Sequence, residues 1–159
     1  METTTQKETK KAGKFLTFFL GSEEYGIEIL KVQEIIGVIP ITPIPNMPHY
    51  IKGVINLRGR IIPIIDLRTK LSMEETKYSD ETCFIIVKSR NVLVGIIVDK
   101  VSEVTNINDI EDAPDVYGTT NYLIGIGKIN DKVKLLLDID KVLTENDTEI
   151  FKNMIKEER

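Results

Sequence analysis

The sequence predicts an all-β fold built from two similar small modules that share a core. Nine short apolar runs alternate with turn sequences, a pattern that favours small barrels or a sandwich over a parallel sheet with helices between its strands. A residue pattern of the first half returns in the second half, which indicates that one structural unit is used twice. Each half alone is short for a stable core, so we expect the 159 residues to fold as one unit.

The internal repeat consists of two blocks. Residues 53–71 align without a gap with residues 125–143 at an offset of 72, and residues 26–35 align with residues 95–104 at an offset of 69. Any two hairpins of Val, Ile and Leu resemble each other, but here order and spacing hold in both blocks. We expect the repeated Gly53 and Gly125, and the turn residue Gly59, to be structural. The matched pairs include Gly53 with Gly125, Asp66 with Asp138, and Arg58-Gly59 with Asn130-Asp131.

The predicted elements begin after a polar tail. Residues 1–14 have little apolar content, which predicts a disordered tail rather than a signal peptide. Pro63 lies inside a strand pattern and predicts an edge strand or a bulge there. The predicted strands are 15–20, 24–29, 33–41, 54–57, 61–66, 82–88, 92–99, 123–129 and 133–138.

The clearest hairpin is the segment 52–67. Two apolar strands meet at Arg58-Gly59, where glycine supplies the positive φ of a tight turn. The turn lifts Arg58 out of an apolar segment, so its guanidinium is placed to meet a carboxylate of another molecule.

Two acidic loops and one helix complete the chain. The loops are residues 72–81 and 106–120. Thr144 and Asp147 have the spacing of a capping box, and an apolar face follows. We predict a helix over 144–158 that docks on the body of the protein, because unpaired apolar stripes are uncommon on monomers. The face comprises Ile150, Phe151, Met154 and Ile155.

Composition excludes several classes of protein. Acidic residues outnumber basic ones and the net charge is −4, which argues against nucleic-acid binding. No apolar run approaches the roughly 18 residues of a membrane span. The single cysteine cannot form an internal disulfide, and we predict a cytoplasmic protein.

The sequence offers no residue set for catalysis, a metal or a cofactor. His49 is the single histidine and lies in a Pro-rich turn, which is typical of a surface or capping residue. Cys83 precedes an apolar run, which indicates a buried small side chain. Metal-ligand spacings are absent, and the GxG at 125–127 lacks the third glycine and the helix of a dinucleotide site. We predict a binding module rather than an enzyme.

The combined motifs closely resemble the bacterial chemotaxis coupling protein family, CheW. The likeness covers roughly residues 15–143 with order and spacing kept, and it is weakest in the tail, the acidic loops and the final helix. The matching segments are YGIEILKVQEI at 25–35, PNMP at 45–48, IKGVINLRG at 51–59, PIIDLR at 63–68 and VGIIVDKV at 94–101.

The resemblance implies two intertwined SH3-like, five-stranded β-barrel subdomains with a short C-terminal helix. The chain would then divide into a tail at 1–14, a CheW-like domain at 15–143 and a helix at 144–159. Within the domain we expect a first barrel at about 24–80 and a second at about 82–143, with the strand at 15–20 closing one of them.

Members of the family are adaptors without catalysis. They bridge the cytoplasmic tip of methyl-accepting chemotaxis receptors to the regulatory domain of the histidine kinase CheA, in arrays beneath the inner membrane and without direct membrane insertion. Two relatives remain as alternatives: the CheW-like regulatory module of the kinase, and that of an adaptor fused to a receiver domain. Met1, the polar tail and the terminal helix favour a complete coupling protein.

The resemblance also implies three contact surfaces. A groove between the barrels receives the receptor tip, and the kinase-facing surface lies on the second barrel, around the hairpin with Cys83 and Gly95. That assignment puts Cys83 at a surface, against its interpretation as a core residue. The third surface, which contacts neighbouring rings of the array, lies in the second acidic loop. Its assignment is less specific, because the sequence of this loop departs from the family pattern. The receptor surface comprises Val32, Glu34, Ile35, Lys52, Asn56 and Arg58; the kinase surface Thr82, Cys83 and Gly95; and the array contacts Glu111 and Val116.

Physical roles follow for the receptor surface. We expect Glu34 and Arg58 to pair at the mouth of the groove, which holds Arg58 in one rotamer and leaves donors for the receptor. Val32 and Ile35 would supply apolar area, and Lys52 would steer the encounter. The alternative is that Glu34 and Arg58 form a surface pair worth about 0–1 kcal/mol with no role in binding.

Overall fold

A computed structural model describes residues 12–113 and 121–157. Within these ranges the chain forms eleven β-strands, a 3₁₀ turn and three α-helices. The strands are β1 Gly13–Leu20, β2 Glu23–Glu28, β3 Val32–Gly37, β4 Ile51–Leu57, β5 Arg60–Asp66, β6 Cys83–Ser89, β7 Val92–Val98, β8 Lys100–Ile107, β9 Asp109–Glu111, β10 Leu123–Ile129 and β11 Lys132–Leu137. The 3₁₀ turn is Ile29–Lys31, and the helices are α1 Leu67–Lys70, α2 Ile139–Val142 and α3 Glu145–Glu157.

The strands form two sheets. Sheet A has six strands in the order β8-β1-β2-β11-β10-β9, and sheet B has five in the order β3-β6-β7-β5-β4. Neighbouring strands are antiparallel except for two parallel pairs, β2 with β11 and β5 with β7. Hairpins account for most antiparallel pairs, since such strands need only a tight turn between them.

Each sheet closes on itself because one continuous segment pairs with strands from both ends of the sheet. In sheet A, β8 and β9 are separated only by Asn108, yet they pair with β1 and β10 at opposite edges. In sheet B, the chain leaving β3 reaches Thr42, whose backbone N–H donates to the Val54 carbonyl of β4 at 2.8 Å. If β8 and β9 count as one bent strand, both sheets are five-stranded closed structures. The predicted all-β fold of two intertwined barrels is confirmed.

The two closures are equivalent positions of the internal repeat. Thr42 faces Val54 in sheet B, and Glu111 faces Ile126 in sheet A. Thr42 and Glu111 are 69 residues apart, and Val54 and Ile126 are 72 apart, the two offsets of the repeat. The repeat therefore describes three-dimensional equivalence as well as sequence similarity.

The two copies of the repeat exchange their first hairpins. The β1–β2 hairpin comes from the first copy but lies in sheet A beside β11, and the β6–β7 hairpin comes from the second copy but lies in sheet B beside β5. The predicted division into barrels at 24–80 and 82–143 is therefore wrong, and the strand predicted at 15–20 joins sheet A. A repeat shows which segments are equivalent, but the same local contacts form whichever copy supplies the partner.

Gly53 and Gly125 lie where the closing segment crosses the first strand of each second hairpin. Gly53 has a φ of +140°, and a Cβ there would lie 2.0 Å from the carbonyl oxygen of Thr42. A Cβ on Gly125 would lie 2.5 Å from the carbonyl oxygen of Glu111. Neither site has room for a side chain, because the backbone of the closing segment occupies it.

One hydrophobic core joins the two sheets. Leu16, Phe18 and Ile27 of sheet A belong to the same buried cluster as Val94 and Ile96 of sheet B. This cluster confirms that the halves share an apolar core. Smaller clusters fill the far side of each sheet.

The C-terminal helix α3 docks on this core as predicted. The Thr144 N–H donates to Asp147 Oδ2 at 3.0 Å, and the Asp147 N–H donates to Thr144 Oγ1 at 3.1 Å, which confirms the capping box. Phe151 and Met154 are buried in the shared core. The observed span Glu145–Glu157 is one residue shorter at each end than the predicted helix.

Three further predictions meet different outcomes. Pro63 does not lie on an edge strand, since β5 lies between β7 and β4, and the bulge lies in β4 between Ile51 and Gly53. The parallel pairing with β7 covers only Ile64–Asp66, so Pro63 lies outside that ladder.

Of the predicted tail, residues 1–11 lie outside the described residues and β1 begins at Gly13. No helix in the described ranges is long and apolar enough to span a membrane.

Candidate functional site

The candidate site is centred on the turn between β4 and β5. Arg58 and Gly59 have φ values of 53° and 86°, as the two central residues of a type I′ hairpin turn require. Asn56 stabilises this turn, since its Oδ1 accepts a hydrogen bond from the Gly59 N–H at 2.8 Å. The turn presents Arg58 to solvent, with 68% of its side chain exposed.

Arg58 forms an ion pair with Glu34 of β3. Glu34 lies on β3, and Arg58 lies in the turn that follows β4. These two strands are at opposite edges of sheet B, and closure of the sheet brings the edges together. The expected Glu34–Arg58 pair is therefore confirmed. The pair engages one guanidinium nitrogen with one carboxylate oxygen, so Arg58 keeps further N–H donors for a partner.

Exposed apolar side chains occur in the same chain segment as Glu34. Leu30, in the 3₁₀ turn, is 92% exposed, and Ile35 of β3 and Val38 just after it are also exposed. Val32 is half-buried and packs on the shared core. Sequence reasoning missed Leu30 and Val38, because a run of apolar residues does not show which of them leaves the core where a strand begins or ends.

The predicted receptor residues do not form a single face. Successive strand residues point to opposite faces, so Ile35 faces away from Glu34. Lys52 forms an ion pair with Glu75 in the loop after α1, and this contact lowers the pKa of Glu75. Lys52 is four residues from Asn56, about 13 Å along the strand at the usual rise. The structure brings together Glu34, Asn56 and Arg58, and it places Lys52 in a separate polar contact.

The predicted kinase residues lie on or beside the β6–β7 hairpin. Thr82 is buried, and its Oγ1 accepts a hydrogen bond from the Ser79 N–H at 2.8 Å. Cys83 is half-buried and packs on the shared core, and burial raises the pKa of its thiol. Cys83 is thus partly a core residue and partly a surface residue. The hairpin lies in sheet B with Arg58, not in the barrel where it was predicted.

Gly95 is a packing position. It lies in the interior strand β7 opposite Ile64 of β5, and a Cβ there would be 2.4 Å from Ile64 Cδ1. The residue is buried and offers no side chain to a partner. Its equivalent in the repeat, Gly26, faces Leu136 of β11 in the same way.

Only one of the two predicted array contacts, Glu111, lies among the described residues. Glu111 is the last residue of β9, is exposed, and forms an ion pair with Lys128 of β10 at 2.5 Å. Val116 lies outside the described residues. The part of the chain that the structure describes contains no group of three or more side chains suited to hold a metal ion.

Comparisons with known proteins agree with one another. The family model described as "CheW-like domain" matches residues 14–147. Chemotaxis protein CheW of Klebsiella aerogenes is 44% identical over 147 residues, covering 90% of this chain and 89% of that protein. Chemotaxis protein CheW of Helicobacter pylori is 33% identical over 144 residues, covering 89% and 87%.

A solved structure supports the same relationship. The scaffolding protein TtCheW of Thermoanaerobacter tengcongensis matches with a TM-score of 0.78 and 36% sequence identity, over 86% of this chain and 95% of that one. The matched family model, the curated relatives and the fold together show that this chain belongs to the CheW-like domain family.

Proposed function

We propose that the chain is a non-catalytic adaptor that couples the cytoplasmic tip of methyl-accepting chemotaxis receptors to the regulatory domain of the histidine kinase CheA. The observation that carries the proposal is the exposed Glu34–Arg58 pair, with the exposed Leu30 and Ile35 in the same chain segment as Glu34, in a member of a chemotaxis scaffold family. The adaptor would act in the cytoplasm, at membrane-bound receptor arrays.

The receptor surface combines properties of an interface centre. Arg58 presents donors from a rigid turn, and Arg is enriched among residues that dominate binding energy. The apolar side chains of Leu30, Ile35 and Val38 supply area that a partner removes from water. Lys52 lies apart and would act at the rim, where a charge changes association rate more than affinity.

The kinase surface is proposed on the β6–β7 hairpin, through Thr82 and Cys83. Gly95 would act by keeping β7 closely packed against β5, since it is buried between neighbouring strands. Glu111 is proposed as an array contact, together with Val116 of the segment outside the described residues. The receptor and kinase surfaces would then both use sheet B, the receptor at the joined edges of β3 and β4 and the kinase at the interior β6–β7 hairpin.

Size-exclusion chromatography with light scattering tests the proposal. The chain is mixed with a receptor tip fragment, with the kinase regulatory domain, and with both. We expect two binary complexes and one ternary complex. Kinase binding without receptor binding would favour the regulatory-module relatives over the coupling adaptor, and binding of neither would contradict the proposal.

A further inference from the structure

A second surface feature includes residues of the β4–β5 turn and of the start of β5. It is a cleft of about 650 Å³ between two hairpin ends and helix α3. We call it the α3 cleft. It is lined by residues 59–62, residues 91–93, Glu149, Lys152, Asn153, Ile155 and Lys156.

The α3 cleft carries positive charge on a chain whose net charge is −4. Arg60, Lys152 and Lys156 line it together with one carboxylate, Glu149. None of the three cations forms an ion pair within the described ranges, whereas Lys31, Lys70 and Lys134, among others, do.

The arrangement of the lysines favours an anion. Lys152 and Lys156 are one helical turn apart on α3, a spacing at which like charges repel. Lys156 lies in the last turn, where the helix dipole favours a cation, whereas Lys152 lies before it and has one carboxylate, Glu149, three residues earlier on the helix. Carboxylates placed between α3 and Arg60 would relieve this repulsion and satisfy the open donors of all three side chains.

The cleft also has an apolar part. Ile61, Leu93 and Ile155 line it and are each half-buried, so their remaining apolar surface faces the opening. A concave site with apolar walls and convergent cations fits a peptide segment better than a flat lipid surface, which meets convex patches.

We propose that the α3 cleft binds an acidic peptide segment that carries an apolar side chain, with Arg60, Lys152 and Lys156 contacting its carboxylates. Gly59 separates Arg58 from Arg60, so the cleft continues directly from the receptor surface around the same turn. The inference does not depend on the adaptor function, since it concerns the isolated chain and is tested on it.

Titration of the ¹⁵N-labelled full chain in NMR spectroscopy tests this site. The probes are the peptide acetyl-Glu-Glu-Leu-Glu-Glu-Phe-amide and a control in which every Glu is replaced by Gln. We expect saturable shifts at residues 59–62, 91–93 and 149–156 with the acidic peptide, and much weaker binding of the control. The double variant Lys152→Gln, Lys156→Gln should raise Kd by about tenfold.

A matched variant controls for net charge. Lys132→Gln and Lys141→Gln change two exposed lysines outside the cleft, so this double variant should bind like the wild type. Absence of shifts at millimolar peptide, shifts elsewhere on the surface, or equal loss in the control variant would overturn the proposal. So would binding to phosphatidylserine vesicles that depends on Lys152 and Lys156 while the peptide does not bind.

Discussion

Arg58 is held by its neighbours before any partner arrives. Its own φ of 53° and the hydrogen bond from Gly59 to Asn56 set the turn, and Glu34 sets the direction of the guanidinium. A side chain already ordered in this way loses less conformational entropy on binding. The exposed ion pair itself adds little to folding stability, about 0–1 kcal/mol. We therefore propose that Arg58 acts in recognition of a partner rather than in folding stability.

Gly53 illustrates the opposite case, a residue that matters for folding. Gly53→Ala should lower the free energy of unfolding by about 2 kcal/mol or more, because a side chain at this φ is strained and its Cβ overlaps the Thr42 carbonyl. Gly37→Ala is the control, since a Cβ there meets no atom within 4 Å. Urea unfolding followed by circular dichroism should separate the two variants, and equal stabilities would contradict this account of sheet closure.

At the scale of elements, the buried carboxylate of Asp147 connects α3 to the rest of the protein. Asp147 accepts hydrogen bonds from Tyr50 Oη at 2.5 Å, from Lys70 Nζ at 2.7 Å and from the Thr144 N–H at 3.0 Å. Burial opposes its ionisation, but Lys70 and Tyr50 outweigh burial and lower the pKa of Asp147. Burial raises the pKa of Tyr50, and the hydrogen bond to this carboxylate raises it further.

This contact predicts a dependence of stability on pH. Because the folded-state pKa of Asp147 is lowered, its contribution is complete above the unfolded value of about 3.9 and is lost as pH falls through the folded pKa. Asp147→Asn should cost about 1–3 kcal/mol at neutral pH and should flatten the stability profile at acid pH.

The measurement is urea unfolding between pH 3 and pH 7, with Glu149→Gln as the control on the exposed side of the same helix. The control should follow the wild-type profile. An Asp147→Asn variant whose stability falls with pH as steeply as that of the wild type would show that another group carries the acid sensitivity.

Elements governed by local contacts could be predicted from the sequence. The tight turn at Arg58-Gly59 and the capping box of α3 each depend on a few adjacent residues, and both were predicted. The ion pair of Lys52 with Glu75 was not predicted, because it depends on the path of an irregular loop. The burial of Gly95 depends on which strand becomes the neighbour of β7. That pairing could not be predicted from the sequence.

At the scale of the whole molecule, the exchanged hairpins make the two barrels interdependent. Sheet A needs β1 and β2 from the first half, and sheet B needs β6 and β7 from the second. The repeat predicted two equivalent units but could not assign their partners, because both pairings satisfy the same hydrophobic pattern. The family resemblance implied that the two barrels are intertwined, and the exchanged hairpins are the structural basis of this arrangement.

This exchange predicts that neither half folds alone. Fragments 1–81 and 82–159 should each lack cooperative unfolding, since each holds strands of two sheets without their neighbours. Mixed at equal concentration, they should recover the β-sheet signal in circular dichroism. A first fragment that folds cooperatively by itself would contradict the exchanged topology.

The proposed coupling function uses two separate surfaces, and we expect mutations to affect them independently. Arg58→Ala should keep its melting temperature, bind the receptor tip about 1–3 kcal/mol more weakly, and bind the kinase regulatory domain as the wild type does. Lys132→Ala, directly after the equivalent turn of the second copy, should change neither affinity.

Isothermal titration of these two variants and the wild type with each partner is the most direct test. The account predicts selective loss of receptor affinity in Arg58→Ala. Unchanged receptor binding, or equal loss toward both partners, would contradict it.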